Sequence, residues 1–296
     1  MDDFKRKIIS IYEKKGFSIF RETIWRSSIQ HMDLPKIRTF LSQNNINNID
    51  VSLVIPMENN TPRMNWIKYY DKTGQCVSSI SEELIPANSN HIKLTFCYVN
   101  EEDEKDSETQ IIYVVNILRL VFGIPIAREL IVIRKFYNDS NQAIRSSDIG
   151  FASMFDVQSL NLFDSPPIER LKIKHTSIEA MILLDKAFTQ TFPIERFILM
   201  WLAFESIINR LPGIENNGKK REKFYKDELK SSIINDEVYR LFQLRCNVFK
   251  EGKFMETDIE KECWSLYSVI QLAIMEDCEQ RQSFINGFEN ILSTNT

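Results

Sequence analysis

Glycine is scarce in this chain, with eight in 296 residues. None stands in the spacing of a P-loop or of a dinucleotide-binding turn, so those two phosphate-cradling chemistries are excluded. Histidine is scarcer still. His31, His91 and His175 are the only three, they lie far apart, and no pair has the spacing of metal ligands. His91 opens a stretch that reads as a strand and is assigned a structural role. The five cysteines, Cys76, Cys97, Cys246, Cys263 and Cys278, form no CxxC pair. An odd, scattered set reads as reduced thiols in a cytoplasmic protein. No apolar run reaches the ~20 residues of a spanning helix. The longest, "IIYVVNILRLVFGIPIA" at 111–127, is broken by Asn116 and Arg119 and reads as a buried helix with its turn. The amino terminus, "MDDFKRKIIS", lacks the apolar core of a signal peptide. Net charge is -4 and the sequence pI about 5.6, so nucleic acid contact would need a local basic patch.

What the chain does hold is core material. Hydrophobic residues make up 43%, and there are 20 Phe and 4 Trp. That quantity, in a chain of this length, fits two packed domains or one large one. The first half mixes strand-like stretches rich in β-branched and aromatic residues, "VSLVIPM", "HIKLTFCYV" and "ARELIVIRKFY", with the apolar helix between the last two. An acidic loop, "NEEDEKDSE", precedes that helix and reads as a solvated connection that caps it. "MNWIKYYDK" at 64–72 reads as an amphipathic strand burying Trp66. After about residue 147 the periodicity fades, and turn formers and a Pro pair mark a linker. The expected organisation is an N-terminal α+β domain over 1–150, a linker over 151–168, a helical domain over 169–280 and a tail over 281–296. Four helices are expected in the helical domain, at roughly 169–189, 193–210, 236–249 and 257–278. The fold class is therefore α+β, a mixed N-terminal domain followed by an all-α bundle.

Two charged residues sit inside apolar helical stripes. In the second of those helices, Ile198, Trp201, Leu202, Glu205 and Ile208 recur at helical spacing, with Glu205 among them. In the third, Val238, Leu241, Phe242, Arg245, Val248 and Phe249 do the same around Arg245. An unpaired buried charge is costly, so the expectation is that Glu205 and Arg245 meet as a bidentate pair that locks the helices in register. Arg245 is followed by Cys246, Asn247, then Lys250 and the Gly252 break. A basic stretch, "KKREKFYK" at 219–226, interleaves cations with aromatics, a composition compatible with RNA backbone contact and stacking.

"FILMWLAFESII" followed by "YRLFQLRCNVFKEGK" resembles the HEPN superfamily, over roughly residues 169–280, and is most similar to the C-terminal HEPN domains of bacterial abortive-infection and phage-defence proteins. The family pattern has a glutamate in a Trp-containing helix, then Arg, a polar residue, three variable residues and His. Here Glu205 and Arg245 match. Cys246 stands at the polar position, Asn247 comes one residue late, and Lys250 replaces the histidine. The resemblance implies a metal-independent endoribonuclease that needs no cofactor and makes cyclic-phosphate ends, with Arg245, Lys250, Glu205 and Asn247 at its catalytic centre. It implies RNA contacts from Lys219, Lys220, Arg221, Lys223 and Lys253, and a homodimer or a partner protein of the same defence system. Lysine ordinarily titrates near ~10.4 and is a poor base at neutral pH, whereas histidine exchanges protons there. The alternative is therefore a non-catalytic HEPN-like module that binds RNA or a partner protein.

Overall fold

The computed structural model describes residues 11–54, 62–70, 76–84, 90–128, 130–137, 144–146, 167–190, 192–213, 215–253 and 257–294. The chain is α+β and divides into two compact units, one formed by residues 1–111 and 125–151, the other by 112–124 and 152–296.

In the first unit five antiparallel strands form one sheet. They are β1 (Ile19–Ser27), β2 (Ile49–Val54), β5 (Asn90–Tyr98), β6 (Leu130–Tyr137) and β7 (Ile144–Ser146), in the order β2-β5-β1-β6-β7. β3 (Pro62–Tyr70) and β4 (Cys76–Leu84) pair separately, Pro62 opposite Leu84. "VSLVIPM", "HIKLTFCYV" and "ARELIVIRKFY" contribute β2, β5 and β6. "MNWIKYYDK" falls mostly in β3, but the side chain of Trp66 lies outside the described residues. The central strand β1, "IFRETIWRS", is absent from the sequence reading. Its alternation is masked by Arg21, Glu22 and Arg26. The register explains them: Phe20, Glu22 and Ile24 share a face with Cys97, Thr95 and Lys93, and Lys93 Nζ lies 3.4 Å from the buried Glu22 carboxylate. Helix α1 (Leu34–Gln43) buries Ile37, Phe40 and Leu41 and packs on β2, and its Arg38 donates to the Val51 carbonyl on that edge strand.

The acidic loop is more than a solvated connection. Asn100 caps a one-turn helix, Glu101–Glu104, by accepting from the Asp103 amide. Glu104 is buried, accepts a hydrogen bond from Arg21 Nε, and lies 2.9 Å from Lys135 Nζ. Arg21 and Lys135 are directly paired across β1 and β6. Burial pushes the Glu104 carboxyl up, but the two cationic donors outweigh it and hold it below the ordinary glutamate value.

Helix α2 (Ser107–Phe122) is apolar on nearly every side, which fits a helix enclosed by protein. The sequence reading places it in the N-terminal domain, but residues 112–124 cluster with the C-terminal helices. Those are α3 (Ile178–Phe188), α4 (Pro193–Asn209), α5 (Asn217–Glu222) with a π turn Lys223–Glu228, α6 (Ser232–Glu251), α7 (Ile259–Ile274) and α8 (Glu279–Thr294). The ties to α2 are polar and specific. Tyr267 Oη donates to the Arg119 carbonyl at 2.6 Å, and Gln271 Nε2 to the Leu120 carbonyl at 2.5 Å. Arg119, 2% exposed, meets Asp185 at 3.0 Å. α7 is buried along most of its length.

Two further departures concern the helical unit. The expected tail over 281–296 is mostly helix α8, which buries Arg281, Phe284, Ile285 and Phe288 at i, i+3, i+4 and i+7. The first expected helix, 169–189, begins only at Ile178, where Ser177 caps it. Residues ahead of it are extended enough for Ile173 to bridge to Met275. Of the expected linker over 151–168, residues 151–166 lie outside the described residues. Among the described residues no helix is long and apolar enough to cross a membrane.

Candidate functional site

The site begins with Glu205 on α4. The buried stripe of α4 runs through Phe197, Met200, Trp201, Phe204 and Ile207, while Leu202 is 39% exposed. Glu205 thus stands at the stripe's edge, a quarter exposed. Its partner is not Arg245, which corrects the expected pair. Arg221 Nη1 reaches Glu205 Oε1 at 2.5 Å, and Asn217 Nδ2 donates to Oε2. The Arg221 guanidinium carbon lies 5.6 Å from the Trp201 ring centre and 4.7 Å from that of Phe242. Arg221 therefore ties α4, α5 and α6 together with one ion pair and two ring faces. Sequence periodicity missed it because it lies in a basic run with no apolar repeat. The signal that points to it is "KFYK" just beyond, since Phe224 and Tyr225 are both buried and must anchor that segment.

Two of the five residues assigned to RNA contact are thereby engaged in packing. Arg221 is one. Lys220, 8% exposed, is the other; its Nζ donates to the Asn209 carbonyl at 2.9 Å and closes the end of α4. Lys219 and Lys223 are exposed, and Lys253 is exposed with Glu251 2.8 Å away.

Arg245 is half-buried and carries no ion pair among the described residues. Its Nε is buried without a hydrogen-bond partner, and its guanidinium carbon lies 4.8 Å from the centre of the Phe249 ring. The buried side of α6 is Ile234, Val238, Leu241 and Leu244 instead. Phe242 is half-buried, touching Trp201 at 6.2 Å and Tyr239 at 6.5 Å between ring centres. Phe249 and Tyr239 are exposed, at 45% and 62%. α6 is an unbroken α-helix to Glu251, so each residue advances about 100°. Asn247 then points roughly 160° away from Arg245, and Lys250 about 140° away. Both are exposed. Gly252, at φ 64°, ends the helix in the left-handed conformation, which leaves Lys250 in the last turn, where a cation complements the helix dipole.

The four residues that the resemblance places at a catalytic centre do not converge on one point of this chain. Glu205 is held by Arg221, Arg245 stacks on Phe249, and Asn247 and Lys250 occupy the far side of α6. Among the described residues no group of three or more His, Cys, Asp and Glu side chains is arranged to hold a metal ion. The four cysteines whose side chains are described, Cys97, Cys246, Cys263 and Cys278, are free thiols. No protein family model, no curated protein and no solved structure matches this chain.

Proposed function

We propose that the C-terminal unit is a non-catalytic HEPN-like module that docks a partner protein, in the defence or toxin setting that the sequence resemblance implies. The observation that carries this reading is Arg245, a half-buried guanidinium with an unsatisfied Nε and, among the described residues, no ion pair, stacked on the exposed Phe249, with the Phe242–Tyr239 ring pair on the same helix. Arginine beside exposed aromatic rings is the composition that dominates binding energy at protein interfaces. A carboxylate brought by a second chain would satisfy Arg245 as Glu205 satisfies Arg221. Strand cleavage would need a proton-exchanging group on the Arg245 side of α6, and Lys250, at the position of the family's histidine, lies about 140° round the helix from it.

The test is metal-free incubation of purified protein with mixed RNA, followed by detection of cyclic phosphates at new ends. Neither the wild type nor the Cys246→Asn, Lys250→His double variant should produce them. Arg245-dependent cleavage by the wild type would replace this reading with the endoribonuclease one.

A further inference from the structure

α6 carries two adjacent lines of side chains. Ile234, Val238 and Leu241 are buried inside the helical unit. One position further along, Asn235, Tyr239, Phe242, Cys246 and Phe249 recur at steps of four, three, four and three. That repeat is the spacing by which one helix packs along another, because the line runs almost straight down the helix, here for about 21 Å. Tyr239 and Phe249 are exposed, while Asn235, Phe242 and Cys246 are half-buried. Phe242 anchors the line to the unit, beside the Trp201 ring and the Arg221 guanidinium. A single polar residue in such a line, here Asn235, sets register at some cost in stability.

Two cations border this line. Arg245 precedes Cys246 and Lys250 follows Phe249, so they stand on opposite sides of it, about 140° apart. These are the positions from which paired helices exchange salt bridges. Of the Arg245 nitrogens only Nε is buried; the two Nη groups are open to water and carry no hydrogen bond or ion pair among the described residues. Lys250 is exposed, and Glu251 beside it pairs with Lys253 instead.

A second copy of this chain does not supply the acid that Arg245 lacks. α6 laid parallel and in register on itself sets Lys250 opposite Arg245, cation against cation. Laid antiparallel, it sets the Arg245 border against itself, and that border, Val238, Arg245 and Gly252, holds no carboxylate.

The geometry points to an amphipathic helix of a different protein as the occupant of this line, apolar at the two inward positions of its heptad and carrying Glu or Asp on the borders that meet Arg245 and Lys250. This rests on the reading of α6 as a docking face and adds the kind of partner that docks there. Tyr239, Phe242 and Phe249 supply the apolar contact, and the two bordering cations select against a basic helix.

Fluorescence anisotropy of the full chain with three labelled peptides tests it. Each has about three heptads with Leu at the inward positions. The first has Glu on both borders, the second has Lys there, and the third is the Glu peptide with Pro at a central inward position, which breaks the helix. The Glu peptide should bind about tenfold more tightly than either of the others, and its lead over the Lys peptide should shrink as salt is raised. Tyr239→Ala and Phe249→Ala, both at exposed positions, should each weaken it about tenfold. Arg245→Glu should cut the preference for Glu over Lys about tenfold, a change of order that misfolding, which would abolish both, cannot imitate. The inference is overturned if the Glu peptide does not bind, if the Lys or Pro peptide binds as tightly, if Arg245→Glu leaves the preference unchanged, or if light scattering shows a dimer that Phe249→Ala dissociates, since a second copy then fills the line. A silent Glu peptide with no RNA cleavage removes the helical partner and leaves the docking reading, whereas Arg245-dependent cleavage removes the docking reading itself.

Discussion

Glu205→Ala separates the observed pairing from the one the sequence stripes imply. In the structure it removes the acid paired with Arg221, whose side chain is 9% exposed between two aromatic rings. Breaking a fully buried pair from one side costs about 3–5 kcal/mol. Two features reduce that here. The Glu205 side chain is 24% exposed, so water can reach part of the vacated site. Arg221 also keeps its contacts with Trp201 and Phe242, which stabilise a cation by about 0.5–2 kcal/mol. The expected loss is about 2–3 kcal/mol, or about 4–12 °C in the midpoint of a unit this size. Arg245→Ala, which removes only a half-exposed stack on Phe249, should cost about 0.5–1 kcal/mol. Urea unfolding followed by tryptophan fluorescence measures both, since Trp201 sits beside Arg221. A double-mutant cycle then assigns the partner. Glu205 and Arg221 should couple by about 1.5–3 kcal/mol, and Glu205 and Arg245 should be additive within about 0.5 kcal/mol. Neutral behaviour of Glu205→Ala, or a coupling that appears with Arg245 instead, would refute the pairing.

Two more outcomes follow from buried charges elsewhere. Glu104 titrates below its ordinary value in the folded chain, so its stabilising effect is complete above the unfolded value and is lost as pH falls through the folded one. Glu104→Gln should flatten the acid limb of the stability curve below about pH 4.3, and superimposable wild-type and variant curves from pH 6 to about 2 would exclude that role. Asp185→Ala leaves the Arg119 guanidinium, 2% exposed, without its acid at 3.0 Å and should cost about 3 kcal/mol in chemical denaturation; a loss under about 0.5 kcal/mol would show that Asn116 alone suffices.

Much of the architecture was legible because it is written in local periodicity. β2, β5 and β6 announce themselves by β-branched runs, and α4, α6 and α7 by apolar residues three and four apart. β1 hid because its central position buries both faces and sets Glu22 between Phe20 and Ile24, so charge interrupts the alternation a strand is recognised by. α8 carries its own repeat in Arg281, Phe284, Ile285 and Phe288, but an arginine opens it and polar residues fill the gaps. The site was harder to read for a different reason. A helical wheel shows that Glu205 leans toward the core and that an arginine must answer it. It cannot say which arginine, because Arg221 and Arg245 are both within reach of the chain and only the packing of α5 decides. The sequence also ends this helix near residue 249, and only its unbroken course to Glu251 parts Arg245 from Asn247 and Lys250.

The threading of α2 has a consequence for how this protein is made. Residues 112–124 belong to the helical unit, yet they are synthesised long before the helices that enclose them. Tyr267 and Gln271, which donate to the Arg119 and Leu120 carbonyls, lie about 150 residues later. At typical translation rates that interval is on the order of 8–30 s. During it, the part of α2 whose Val115, Leu118 and Val121 end up enclosed lacks the C-terminal helices it packs with in the finished unit. A nascent chain in that state is a natural client for a ribosome-associated holdase, and a fragment begun after residue 151 would be born with an open slot along α7 that no later residue can fill.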